Sequence, residues 1–147
     1  MRPRFWAQYP LEALTPEEWE ALCDGCGLCC LVKLEDEDSG EVAYTRVACK
    51  LLDPATGWCS QYAERRLHVP DCIQLTPALV AQLRWLPRTC AYRLVHEKKP
   101  LPDWHPLLTG HPDSTRQARQ SVAGRSLSEL QVPEDELEHH IVRWVKI

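Results

Sequence analysis

The 147-residue sequence has one phenylalanine, one methionine and only six glycines, set against twelve prolines. That balance implies short elements joined by ordered loops, and it excludes a long coiled coil or a repeat array. No apolar run approaches the roughly 18 residues of a membrane span. The stretch Met1 to Pro10 carries Arg2 and Arg4 but lacks the apolar core of a secretory signal. The expectation is a cytoplasmic protein with no membrane partner. Positive charge is also in short supply: 17 Lys and Arg are scattered among 21 Asp and Glu, for a net charge of −4. No basic stripe is offered to a phosphate backbone, so nucleic acid is not expected as a partner. A glycine-rich phosphate loop, a nucleophile elbow and an H-E-x-x-H pair are all missing, which removes the common enzyme templates.

What is present is sulfur. The eight cysteines are Cys23, Cys26, Cys29, Cys30, Cys49, Cys59, Cys72 and Cys90, with none in the C-terminal third. An even count in a secreted chain would read as a disulfide framework, whereas in a reducing cytosol thiols stay free unless a metal holds them. Compartment and spacing together point to a metal ion as the partner. Cys23-Asp24-Gly25-Cys26-Gly27-Leu28-Cys29-Cys30 contains two overlapping C-x2-C units followed at once by another thiol. Two residues between thiolates let a tight turn aim both sulfurs at one ion, and Gly25 and Gly27 supply positive φ where the loop curls. A helix would also place all four on one face, but the glycines favour a loop following a helix. Cys49 and Cys59 flank the turn signal Asp53-Pro54-Ala55-Thr56-Gly57, so a local hairpin or loop brings them together. Cys72 follows Pro70-Asp71 in a loop, and Cys90 stands near the start of a helix; all eight are candidate ligands.

With 44% hydrophobic and 26% charged residues the chain is expected to fold as one domain, 1–147. The expected fold class is α+β, mainly helical with a small β-hairpin and stabilised by metal, with a cysteine-rich part at 15–95 and a helical C-terminal part at 96–147. Thr15-Pro16-Glu17-Glu18 is a capping box with proline at the first helical position, predicting a helix from Pro16 to Cys23 that carries Trp19, Leu22 and Cys23 on one face. The acidic turn Glu35 to Gly40 joins Leu31–Leu34 to Glu41–Val47 as a hairpin. Thr76-Pro77 opens a second helix with Leu79, Val80, Leu83 and Leu86 as its stripe and Pro87 as its stop. Cys90 to Lys98 is the third. Pro100 to Pro112 is expected to be an ordered loop packed by Trp104, with His105 and His111 as further candidate ligands or acid–base groups. Ser126–Leu130 and Pro133–His140 read as helical, and Ile141–Ile147 as helix or closing strand.

At its cysteines the sequence resembles the CxxCxxCC zinc- or iron-chelating domain proteins, and within them the YcgN-like group. Beyond Cys23 to Cys30, the stretches Cys49-Lys50-Leu51-Leu52-Asp53, Trp58-Cys59-Ser60-Gln61-Tyr62 and Pro70-Asp71-Cys72 are similar to the family's second cysteine block. Where many members carry Arg-Pro after the tyrosine, this chain has Arg65-Arg66. Trp85 to Leu94 and Trp104-His105-Pro106-Leu107 resemble the YcgN-like group specifically. The resemblance implies a cysteine-ligated metal or iron–sulfur centre, not a particular reaction. Some longer relatives of the cluster resemble flagellin lysine methylases, which makes methyl transfer one form of the enzyme alternative.

Zinc takes four tetrahedral ligands, so eight thiols divide into two sites. Adjacent Cys29 and Cys30 point in different directions in most backbone conformations, so either they serve different ions or one of them stands behind the ligands of a single ion. C-x2-C-x2-C equally matches the first three ligands of a bacterial ferredoxin run, which keeps an iron–sulfur cluster open as the cofactor. Either centre adds about two negative charges at four thiolates, for which Lys33, Arg46, Lys50, Arg65 and Arg66 are the nearby counter-charges. Two functions follow. One is a metal-binding protein in which the ion supports the fold. The alternative is an iron–sulfur enzyme, of redox or methyl-transfer type, with His105, Tyr92 or Arg93 supplying protons or charge.

Overall fold

The computed structural model describes residues 1–147. Two short helices start the chain, α1 (Phe5–Gln8) and α2 (Pro16–Leu22). The capping box forms as the sequence predicts. Thr15 Oγ1 accepts the Glu18 N–H at 3.2 Å, and Glu18 Oε1 accepts the Thr15 N–H at 2.9 Å. Glu18 is fully buried, and Arg2 satisfies it from the other side: Nη2 donates to Oε1 at 2.7 Å, while the backbone N–H and Nε donate to Oε2. A buried carboxylate persists only when paired in this way.

The chain then forms β1 (Leu31–Glu35) and β2 (Val42–Ala48), the expected antiparallel hairpin, in register from Lys33↔Tyr44 to Glu35↔Val42 and shifted by an irregularity before Leu31↔Ala48. Asp36 Oδ1 accepts the N–H groups of Asp38 and Ser39 and so tightens the acidic turn. A one-turn helix α3 (Arg65–His68) buries no residue. With no apolar periodicity, it leaves no trace in the sequence pattern. α4 (Pro77–Gln82) starts at Thr76 as predicted but stops before Leu83. Leu86 is nevertheless fully buried from the loop that follows. α5 (Ala91–His96) matches the third expected helix, and α6 (Pro106–Thr109) and α7 (Ser114–Gln117) interrupt what reads as loop.

The C-terminal part departs from the helical expectation. Leu127–Ser128 is a strand, β3, lying parallel to β2 with Val47 opposite Leu127. Ser128 Oγ accepts the Leu130 N–H and so begins a 3₁₀ turn at 129–131; a serine that bonds its own backbone opposes an α-helix. Glu134–His140 is a 3₁₀ helix with no buried residue, so no packing imposes the α pitch. Ile141–Ile147 is a strap. Ile141 bridges to Thr45, the Val142 N–H donates to Tyr44 O, and the Lys146 carbonyl accepts the Arg88 N–H. Helical elements outnumber strands, yet the longest has seven residues, so the class is a mixed α+β fold dominated by its loops.

Two small cores result. Phe5, Leu11, Leu22, Val80, Leu86, Ala91, Tyr92, Val95 and Leu101 form the first, under α2, α4 and α5. Leu28, Leu31, Tyr44, Ala48, Leu52 and Val122 form the second, under the hairpin. The loop from Cys23 to Leu28 runs from one to the other. Gly25 and Gly27 have φ of +73° and +75°, as the spacing argument expects. Space demands glycine as well: a Cβ on Gly25 would lie 2.2 Å from the Trp58 ring, and one on Gly27 would lie 2.7 Å from Val122 Cγ2.

Two outcomes follow. Gly25→Ala is expected to cost about 2–4 kcal/mol, from left-handed strain plus overpacking; this is read as a drop in denaturation midpoint, and adding Trp58→Ala should recover the steric part alone. Arg2 holds the Glu18 carboxyl down, from an ordinary 4.5 to about 2. Because its folded-state pKa is depressed, the pair stabilises the fold above pH 4.5 and that stability is lost as pH falls toward 2. Glu18→Gln should therefore be less stable at pH 7 and show a shallower loss between pH 4.5 and 2 in acid titrations followed by circular dichroism.

Candidate metal centre

The geometry of the cysteines starts from backbone hydrogen bonds. Cys23 ends α2 in extended conformation, and its predecessor Leu22 is held by the His105 ring, Nε2 lying 2.8 Å from the Leu22 carbonyl. Asp24 is buried and its Oδ1 accepts the Cys26 N–H at 3.1 Å, folding the first C-x2-C into an Asx turn. The Cys26 carbonyl accepts the Val122 N–H, and the Cys30 carbonyl accepts the Cys49 N–H, both at 2.9 Å. Leu28–Cys30 is a single 3₁₀ turn, so the predicted loop after a helix is what forms. The Leu52 N–H donates to the Cys49 carbonyl and Leu52 bridges Cys59, so the 53–57 turn brings Cys49 and Cys59 together as expected. Cys72 follows α3, its N–H on the Val69 carbonyl, and Cys90 is the residue before α5.

The thiols perturb one another in two neighbourhoods. Cys23 keeps solvent-exposed surface, but desolvation by the protein packed around its sulfur pushes it up to about 12, and Cys29, Asp24 and Cys90 add to the shift. Burial raises Cys26 well above the usual thiol range, with Asp24, Cys29 and Cys23 beside it. Cys90 goes up to about 11 by burial, then by Cys29 and Asp24. Cys30 instead faces Cys49 and Cys72, and Cys49, raised by burial, also feels Glu129, Cys72 and Cys59. Cys23, Cys26 and Cys90 are thus all within electrostatic reach of Cys29 and Asp24, while Cys30 and Cys49 are within reach of Cys72. Cys29 and Cys30 lie where the two groups meet: interaction with Cys30, helped by the charge of Lys33, brings Cys29 down to about 7, and interaction with Cys29 drives Cys30 up. No three His, Cys, Asp or Glu side chains converge tightly enough to hold an ion as they stand. The donors fit a thiophilic metal in kind, with all eight cysteines free and none in a disulfide.

Of the five candidate counter-charges only Lys33 bears on a thiol. Its Nζ donates to the Cys29 and Leu31 carbonyls at 2.8 Å and lies 4.3 Å from the Trp85 ring centroid. Arg46 donates to His140 Nδ1, Arg65 lies over the Tyr62 ring, and Lys50 and Arg66 form no ion pair. His105 is fully buried with both ring nitrogens engaged: Nδ1 accepts the Leu107 N–H, so Nε2 carries the hydrogen it donates to Leu22. Burial lowers its pKa. It is a cap on α6, not a free ligand or base. Tyr92 donates to the Trp19 carbonyl, and Arg93 donates to the Leu86 carbonyl and pairs with Glu97. All three residues of the acid–base alternative are committed to holding the fold. Asp24 and Tyr44 are the residues that sequence reasoning passes over. The position of Asp24 inside C-D-G-C was the available signal; Tyr44, whose hydroxyl donates to the Trp85 carbonyl, gave none.

Comparison with known proteins agrees with this donor set. A family model described as "Putative zinc- or iron-chelating domain", CxxCxxCC, matches residues 22–91. That range spans all eight cysteines. A UPF0260 protein of Ectopseudomonas mendocina is 59% identical over 138 residues, covering 94% of this chain and 93% of that protein. UPF0260 proteins of Azotobacter vinelandii and Pseudomonas fluorescens are 58% and 57% identical over the same length. No solved structure matches. With identity this high over nearly the whole length of both chains, the protein belongs to the UPF0260 family.

Proposed function

We propose that this protein is a metal-binding protein in which the eight cysteines, within a single domain, hold two thiolate-ligated centres of zinc or iron–sulfur type. What supports the reading is that all eight cysteines are free, and that a backbone hydrogen bond draws Cys49 to Cys30 and a bridge sets Cys59 against Leu52, next to the loop that carries Cys23, Cys26 and Cys29. Cys23, Cys26, Cys29 and Cys90 would hold one centre, and Cys30, Cys49, Cys59 and Cys72 the other. Bound zinc would supply structural cross-linking, and an iron–sulfur cluster would supply one-electron chemistry. Lys33 offsets negative charge at Cys29, and Asp24 holds the turn that carries Cys26. Only 28 of 147 residues are buried, and the apolar ones gather in clusters no larger than nine and six that the cysteine loop connects. Metal ligation of that loop would do part of the work of a larger apolar core.

A second reading rests on the exposure of Cys23, which with Trp58, Pro106, Leu107 and Gly110 borders an open recess of about 280 Å³. A centre at that thiol would be within reach of a substrate, as an iron–sulfur enzyme requires. Colour separates the two. Anaerobically purified protein that is brown and contains iron and sulfide supports the enzyme class, and colourless protein with stoichiometric zinc supports the structural one.

Elemental analysis of the anaerobic protein is expected to show two centres per chain. Cys26→Ser should remove one and leave the other, Cys49→Ser should remove the complementary one, and joint loss from either variant would contradict the division into two sets. Complete removal of metal by a chelator is expected to lower the melting temperature by more than about 10 °C, since several kcal/mol of ligation free energy would go with it. An unchanged melting temperature in metal-free protein would refute structural support.

A further inference from the structure

A cavity of about 670 Å³ lies away from the cysteines, in a groove between the α1 segment and the end of α5. Its volume falls in the range of small-molecule sites, about 300–1,000 Å³. The floor is apolar, with Leu11, Val95 and Leu101 buried beneath it, and Trp6 and Tyr9 contribute ring surface. The rim is cationic: Arg4, Lys98 and Lys99 face one carboxylate, Glu12, in a chain whose overall charge is −4. Lys99 also pairs with Glu97 at 3.5 Å, while Arg4 and Lys98 have no carboxylate partner.

The backbone gives those two cations a significance that surface charge alone would not. Only three non-glycine residues in the chain have positive φ, and two of them are Arg4 (46°) and Lys98 (58°), both on this rim. Lys98 follows α5 at the position where glycine is the default residue, and its N–H returns to the Val95 carbonyl at 3.1 Å. Arg4 is the N-cap of α1 without a side-chain capping bond. A cation there faces the positive end of the helix dipole and stabilises nothing in the helix. Its guanidinium lies 5.5 Å from the Trp6 ring centroid instead. Each residue thus accepts left-handed strain where glycine would relieve it, and strain of this kind gathers at ligand clamps.

We propose that this groove is a binding site for a small phosphorylated ligand carrying a planar ring, a nucleotide-like anion. Arg4, Lys98 and Lys99 would take the phosphates, and Trp6 with the apolar floor would take the ring. The site is independent of the cysteine centres, none of whose ligands lines it.

Titration calorimetry of the full chain with ADP, without divalent cations, tests this alongside pyrophosphate and adenosine. ADP is expected to bind, with each half-ligand at least about tenfold weaker, one charge-assisted contact being worth roughly that factor. Lys98→Gly and Arg4→Gly should each weaken ADP about tenfold while leaving the melting temperature unchanged or higher, because glycine relaxes the left-handed backbone. No heat with ADP at millimolar concentration would overturn the proposal, as would glycine variants that keep full affinity. Pyrophosphate binding as tightly as ADP would overturn the role of the ring.

Discussion

The constraint on which the molecule depends is the anchoring of one stretch of backbone, residues 22–30, by donors from three distant parts of the chain. His105 Nε2 holds the Leu22 carbonyl, the Val122 N–H holds that of Cys26, and the Cys49 N–H holds that of Cys30. A loop buried between two cores must satisfy its carbonyls in this manner. Once it does, the positions from which Cys23, Cys26, Cys29 and Cys30 project are set by the fold, not by the short helix before them.

The same anchoring explains several residues that would otherwise read as chemistry. His105 is invested in Leu22 and Leu107, and burial keeps it neutral. Tyr92 and Arg93 secure α2 and the loop before Cys90 by reaching the carbonyls of Trp19 and Leu86. These groups order the surroundings of the thiols without facing them. Lys33 is different: half-buried on β1, with its ammonium over Trp85 and Tyr44, it brings the one positive charge that bears on the cysteines.

The electrostatics of the thiols follow from the same crowding. Surrounded by protein and by one another, most are held in the neutral form, while Cys29, beside Cys30 and Lys33, is shifted down. Replacing protons by a cation would relieve desolvation and mutual repulsion together, which is why a dense group of raised thiols is chemically suited to metal.

Local chemistry made much of this legible in advance. The capping box at Thr15, the hairpin around Asp36 to Gly40, the start of α4 at Thr76 and the left-handed glycines at 25 and 27 each depend on residues within a few positions of one another, so the sequence alone determined them. The C-x2-C spacing likewise determined the kind of donor. Tertiary structure decided the rest. Leu127–Ser128, expected as helix, became a short strand because β2 offered backbone to pair with. Cys90 came within reach of Cys23 because α5 packs beside α2 through Trp19 and Tyr92. Such contacts join residues tens of positions apart, and their free energy depends on packing that no local pattern records.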